Sequence, residues 1–327
     1  MLNLLCSGCA RVENFMLVFG VLFGFLATFV GLKCFMDKLP ADEGRDFAVD
    51  GKLSRGKPRG AGIVFIIVFA IGALLFSKID IESVLYVVFV VAEMITGYLD
   101  DASDVSWGRT IKGVLDLVVA LGIGITYVVF HGNTVALSLT GKEVEIPFVL
   151  LIAIIVGIVF VMINVTNCAD GVDGLSGTLT MITLASFIVV NSQRGIAEEY
   201  KSMIIIFIAV LLGYLWFNAG PSILLMGDAG SRAMGVFISI IAIKSCCVWL
   251  LIPFAILLIL DGGLGLLKVS VIKITHKKNF MSKIRTPLHD HVRKNIKVAW
   301  ANNQVVMRFA IIQIIISIVT VYMFLGC

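Results

Sequence analysis

Charge is scarce in this sequence. Asp, Glu, Lys and Arg make up only 15% of its 327 residues, against 59% hydrophobic residues and a mean hydropathy of +1.02. A soluble domain of this length has no use for so much apolar surface, so that class is excluded. The apolar–polar alternation of an outer-membrane barrel is also missing. No repeat, low-complexity tract or soluble domain is evident, and residues 1–327 read as one integral membrane domain. The four His and seven Cys form no cluster with zinc-ligand or disulfide spacing. Cys6 and Cys9 make a lone CxxC, read as small apolar residues near a membrane. No nucleic-acid partner is expected.

What is present is a series of long apolar runs. In lipid the backbone must satisfy its own polar groups, so these runs must be helices. Ten are predicted, over about 14–36, 61–77, 83–99, 113–130, 147–164, 175–191, 202–217, 233–244, 248–272 and 306–325. The run at 233–244 is short, and the first run lacks a small-residue cleavage site and reads as a retained helix. The odd-numbered connections hold 17 of the 26 basic residues, mostly in 37–60 and 273–297, and the opposite face holds six. Positive charge stays inside, so the odd-numbered connections are predicted to be cytoplasmic. Segment 131–146, on the other face, alternates like strand and is expected to form a small hairpin.

The unusual chemistry lies in those same odd-numbered connections. The third starts with Asp100 and Asp101, two carboxylates at a helix C-terminus, where the helix dipole and the nearby membrane both disfavour negative charge. A cation would offset that cost, so the pair reads as a Mg²⁺ site or a proton-accepting carboxylate, with Arg109 and Lys112 close by either to hold a phosphate or to snorkel at the interface. The fifth connection runs Asn164, Asn167, Asp170, Gly171, Asp173, Gly174 and Gly177. An N-cap needs one Asp, not two Asp, two Asn and three Gly, so a ligand is expected here. The seventh connection carries Asn218, Leu225 and then Gly227-Asp228 at a helix start, a place that favours phosphate. The ninth carries His289, Asp290 and His291 among Lys277, Lys278, Lys283, Arg285, Arg293, Lys294 and Lys297. A basic loop on anionic lipid has no need of His, so a chemical role is expected there too. Oxygen ligands beside many cations point to Mg²⁺ and a phosphorylated substrate.

These ordered motifs resemble the polyprenyl-phosphate N-acetylhexosamine-1-phosphate transferases, most closely the branch that handles phospho-N-acetylmuramoyl-pentapeptide. The likeness covers most of the chain, including Gln304 to Phe309 before the last helix. It implies an all-α polytopic membrane protein of about ten transmembrane helices, multi-pass in a bacterial inner membrane, with the active site formed by cytoplasmic loops. It implies transfer from UDP-N-acetylmuramoyl-pentapeptide to undecaprenyl phosphate, giving lipid I and UMP, with Mg²⁺ as cofactor, membrane lipid around it and a homodimer. By motif match, Asp228 is implied as the Mg²⁺ ligand. Asp100 and Asp101 are implied as the catalytic pair, with Asn167 and Asp170 near the diphosphate. Asp173 and Asn218 match uridine-contacting positions, and Leu225 stands where many members place a Phe against the uracil. His289 and His291 match the outer two of a His-His-His run, with Asp290 in the middle place, and Lys112 is implied in phosphate binding.

The chain also departs from the pattern. Gly56-Lys57-Pro58-Arg59-Gly60-Ala61-Gly62 stands where many members have Gly-Thr-Pro-Thr-Met-Gly-Gly. Ser54 replaces a Lys, with Lys57 or Arg55 as stand-ins, and two lysines common after the Asp pair are missing. Two rivals remain. One is a sister enzyme moving GlcNAc-1-phosphate to the same lipid. The other is an ion-coupled transporter, which would keep its acids at mid-membrane rather than crowded on one face.

Overall fold

The computed structural model describes residues 10–44, 51, 53–137, 142–195, 197–277 and 279–326. Cys6, Cys9, Lys278 and the middle of the 131–146 segment lie outside the described residues. The chain is a bundle of helices: α1 (Ala10–Phe35), α2 (Gly62–Phe76), α3 (Ile81–Asp101), α4 (Arg109–His131), α5 (Phe148–Ala169), α6 (Leu175–Arg194), α7 (Glu198–Asn218) and α8 (Gly227–Lys244). A short hairpin, β1 (Thr134–Leu137) antiparallel to β2 (Lys142–Glu145), joins α4 to α5 with Thr134 opposite Glu145. Then come α9 (Leu251–Phe254), α10 (Ile256–Leu258), a π turn over Ile259–Gly263, α11 (Leu264–Thr275), α12 (Leu288–Lys294) and α13 (Asn302–Leu325).

All ten predicted runs are helical. Among the described residues, seven helices are long and apolar enough to cross a membrane by themselves, and an eighth span exists if the bent pair Val248–Phe254 and Ile256–Thr275 is one. Their outer faces are bare apolar surface: Val149 is 81% exposed and Ile318 63%. Hydrocarbon is the solvent in which such faces are stable. The protein is therefore a multi-pass, all-α membrane protein.

The helix α8 is the axis of the bundle. All eighteen of its residues are buried, among α2, α3, α5 and α6. Its approach to α3 depends on Gly97, where a Cβ would lie 2.5 Å from the Asp228 carbonyl group. Small residues at a helix crossing let backbones touch, and here they bring the first turn of α8 against the last turns of α3.

The predicted span 248–272 is not a straight helix but bends by 70° at Ala255. A break at membrane depth frees backbone groups that lipid cannot satisfy. Gln313 of α13, fully buried, closes both sides of it: its Nε2 donates to Pro253 O at 2.9 Å and its Oε1 accepts from Leu257 N at 3.0 Å. Thr183 of α6 donates to Phe254 O at 2.7 Å.

Candidate active site

Six helix ends meet at one end of the bundle: the C-termini of α3, α5 and α7, and the N-termini of α4, α6 and α8. They carry the third, fifth and seventh connections to one place. Asp100 and Asp101 of α3 and Asp228 of α8 each offer a carboxylate oxygen within 4.8 Å of the others. Such a group could hold a metal ion, and its hard oxygen donors suit Mg²⁺ rather than a thiolate-seeking metal.

Two side-chain cations already lie on these acids. Lys112 Nζ is 2.5 Å from Asp100 Oδ2 and 3.0 Å from Asp228 Oδ2. Arg59 Nη2 is 2.9 Å from Asp101 Oδ1 and 3.4 Å from Asp228 Oδ1, while its Nη1 is 3.6 Å from Asp42 Oδ1. Burial works against the Arg59 charge, but Asp101, Asp228, Asp42 and Asp100 together hold its pKa above the ordinary guanidinium value. Backbone donors fix the acids from the other side. The Trp107 N–H donates to Asp100 Oδ1 at 2.6 Å, and the Ala229 N–H to Asp101 Oδ2 at 3.1 Å. Gly227, with φ of +67°, makes the turn into α8; a Cβ there would strike the Asp101 carboxylate and stand 2.9 Å from Gly60 N.

The first connection is clamped into the site by its backbone. Segment 57–62 runs between two strands of loop. On one side Asp42 N donates to Lys57 O and Arg59 N to Pro40 O, both at 2.8 Å. On the other, Leu225 N donates to Pro58 O at 2.8 Å, and Ala61 N and Gly62 N donate to Leu225 O and Met226 O at 3.0 Å. Lys57 reaches Ser222 Oγ at 3.0 Å and lies 4.0 Å from Asp173 Oδ2. Ser54 donates to Asp42 Oδ2 at 2.5 Å.

A cavity of about 850 Å³ opens beside the acids, with Asn167, Asp170, Asp173, Asn218, Leu225 and Asp228 in its wall. Asn167 donates to Ser231 Oγ at 3.0 Å, and Asp170 Oδ1 accepts from Ser176 Oγ at 2.6 Å. Asp173 Oδ2 accepts from Ser222 N at 3.0 Å. Asn218 is buried and bonded at both ends of its amide, accepting from Gly174 N at 2.8 Å and donating to Leu224 O at 2.9 Å. It shapes the turns on either side of the cavity. The volume suits a nucleotide sugar rather than a lone ion.

The ninth connection arrives differently. His289 is buried, and its Nδ1 lies 2.7 Å from Asp261 Oδ2 while its N–H donates to Asp261 Oδ1 at 2.6 Å. Asp261 is fully buried in the π turn and holds the histidine through both contacts. His289 stands directly behind Gly171, where any Cβ would collide with the ring, and Gly171 lines the cavity. Asp290 accepts from Arg293 at 3.2 Å, and His291 Nδ1 accepts from Arg285 N at 3.2 Å. Neither side chain is part of the cavity wall.

The match to known proteins follows the same geometry. The glycosyl transferase family 4 profile fits residues 82–246, the stretch from α3 to just beyond α8. A phospho-N-acetylmuramoyl-pentapeptide-transferase of Treponema pallidum (strain Nichols) is 34% identical over 313 residues, covering 90% of this chain and 85% of its own length. One of Listeria monocytogenes serotype 4b (strain F2365) is 29% identical over 326 residues, covering 94% and 98%. One of Helicobacter pylori (strain Shi470) is 25% identical over 289 residues, covering 80% and 79%. The chain belongs to the phospho-N-acetylmuramoyl-pentapeptide transferase family. It is a membrane transferase.

Within that family frame, several residues of this chain escaped the sequence reading. Arg59, rather than Lys57 or Arg55, is the first-connection cation on the acid cluster. Arg232, one turn after Asp228, lies 2.7 Å from Glu93 and is bonded to Asp116, and all three are buried. Asn164 donates to Asp116 Oδ2 at 3.1 Å. Glu93 and Asp116 lie inside predicted spans, so the expectation that the acids keep to one face is corrected. Their signal was present, since a charge inside an apolar run demands a partner. The opposite end of the bundle is not bare either: Glu82 Oε2 pairs with Lys244 at 2.9 Å and Glu82 Oε1 with His131 at 2.8 Å.

Proposed function

We infer that this chain moves phospho-N-acetylmuramoyl-pentapeptide from UDP-N-acetylmuramoyl-pentapeptide onto undecaprenyl phosphate, forming lipid I and UMP for peptidoglycan synthesis. The observation that carries this reading is the convergence of Asp100, Asp101 and Asp228 at the mouth of an apolar bundle, beside a cavity of nucleotide-sugar size. One substrate is a polyanion in water and the other a phosphate on a hydrocarbon tail. Their chemistry must meet where helices end. The basic first and ninth connections support a cytoplasmic position for that end.

Asp228, with Asp100 and Asp101 beside it, would hold Mg²⁺; three carboxylates with no His or Cys among them fit that ion. Bound there, it supplies charge neutralisation for the diphosphate and the departing phosphate. The protein groups do the rest. Asp100 or Asp101 keeps the lipid phosphate deprotonated, a modest gain given a second phosphate pKa near 6. An oxygen of that phosphate attacks the sugar-bearing phosphorus. The bond to the bridging oxygen breaks, and its electron pair leaves on UMP. Lys112 and Arg59 offer positive charge to the phosphates. Asn167 and Asp170 orient the diphosphate, and Asp173, Asn218 and Leu225 shape the nucleoside end. His289, held by Asp261, backs the wall at Gly171. Asp290 and His291 act from behind it, through the ninth connection. A covalent aspartyl route is the alternative chemistry, and trapping a labelled phospho-enzyme with nucleotide sugar alone would establish it.

The assay is direct. Purified protein receives undecaprenyl phosphate, Mg²⁺ and either UDP-N-acetylmuramoyl-pentapeptide or UDP-GlcNAc, and UMP is measured. Release with the first alone is expected. Release with the second alone would transfer the chain to the sister activity.

A further inference from the structure

Both carboxylate oxygens of Asp228 face a side-chain cation. Its Oδ1 faces Arg59 at 3.4 Å and its Oδ2 faces Lys112 at 3.0 Å. A divalent cation arriving alone would have to displace a cation and add two positive charges beside those that remain. The two cations are held differently. Lys112 is a flexible stem with 28% of its side chain exposed. Arg59 has 16% exposed, its backbone is paired on both sides, and its guanidinium forks between Asp101 and Asp42. The fork lets Arg59 release Asp228 and keep its anchors. Arg59 also lines the cavity in which the diphosphate would lie.

We propose that Arg59 couples metal binding to substrate binding. Without nucleotide it occupies the acid cluster and weakens the affinity for a divalent cation. With the diphosphate in place, the metal takes over Asp228 and the guanidinium turns onto a phosphate oxygen. Nothing is bonded or broken; one ion pair is exchanged for another. By reciprocity, nucleotide and metal strengthen each other by one and the same factor.

The proposal rests on the transferase reading only for the diphosphate as ligand, and its test needs no turnover. Mn²⁺ binding to the full-length protein in detergent is measured by calorimetry with and without UDP. The wild type is expected to bind Mn²⁺ about tenfold or more tightly when UDP is present. In Arg59→Gln, Mn²⁺ alone should bind about tenfold more tightly than in wild type, and the coupling factor should shrink several-fold. Arg59→Lys keeps the charge but loses the fork, and should fall between the two. It serves as the readout if the Gln variant does not fold. Three results would overturn the proposal: no UDP effect in wild type, variants equal to wild type in both constants, or tighter Mn²⁺ binding with coupling unchanged. The last would make Arg59 a mere repulsive charge. A wrong nucleotide-sugar assignment leaves Mn²⁺–UDP coupling intact, so the two failures are separable.

Discussion

A single carboxylate, Asp228, ties the fold to the chemistry. It begins the buried axis helix, touches both cations of the site, and faces a cavity that reaches Asp173 and Asn218. Asp228→Asn keeps the shape and loses the charge. We expect UMP release to drop at least about 100-fold with the melting temperature kept; a purified variant turning over at wild-type rate would remove the metal assignment. Asp261 is the second residue of consequence. It holds His289 through both the ring and the backbone, at 2.7 and 2.6 Å. Asp261→Asn retains a hydrogen-bonding group but frees the ring tautomer. A loss of about tenfold or more in kcat, with KM for the nucleotide sugar little changed, is expected. Unchanged kcat would leave the pair a packing device.

Among the elements, the broken span α9–α10 depends most on a neighbour. Its bend is possible because Gln313 and Thr183 take up the backbone groups that the break releases. Gln313→Leu would leave Leu257 N–H and Pro253 O buried without partners. A destabilisation of about 1–3 kcal/mol per group is expected, seen as a lower melting temperature in detergent. Because the same bend leads into the π turn that carries Asp261, activity should fall before the fold does. A variant as stable as the parent would mean that water satisfies the break. The ten helical runs were legible in the sequence, since apolar length alone dictates helix in lipid. The bend was only partly so. Pro253, two residues before Ala255, is a local signal for a break, but the groups that stabilise it sit more than fifty residues away in α6 and α13.

At the scale of the molecule, stability and chemistry are separate. Apolar helices packed around α8 hold the bundle, while the carboxylates proposed to act in transfer lie at its rim. Removing divalent cations with EDTA should therefore abolish UMP release and leave helical content and melting temperature nearly unchanged, with activity restored by Mg²⁺. A cooperative loss of helix on chelation would show the metal to be structural.

The sequence by itself determined that this is a membrane bundle, and which short connections hold the oxygen-rich groups Asp100, Asp101, Asp170 and Asp228. Those are local facts, written in run length and in motifs of a few residues. Only the tertiary structure decided which cation meets which acid. Arg59 pairs with residues 42 and 169 positions further along, and Glu93, Asp116 and Arg232 find one another from three separate helices. Helix rotation and backbone pairing between distant loops set those contacts, and neither leaves a mark on any one stretch of chain.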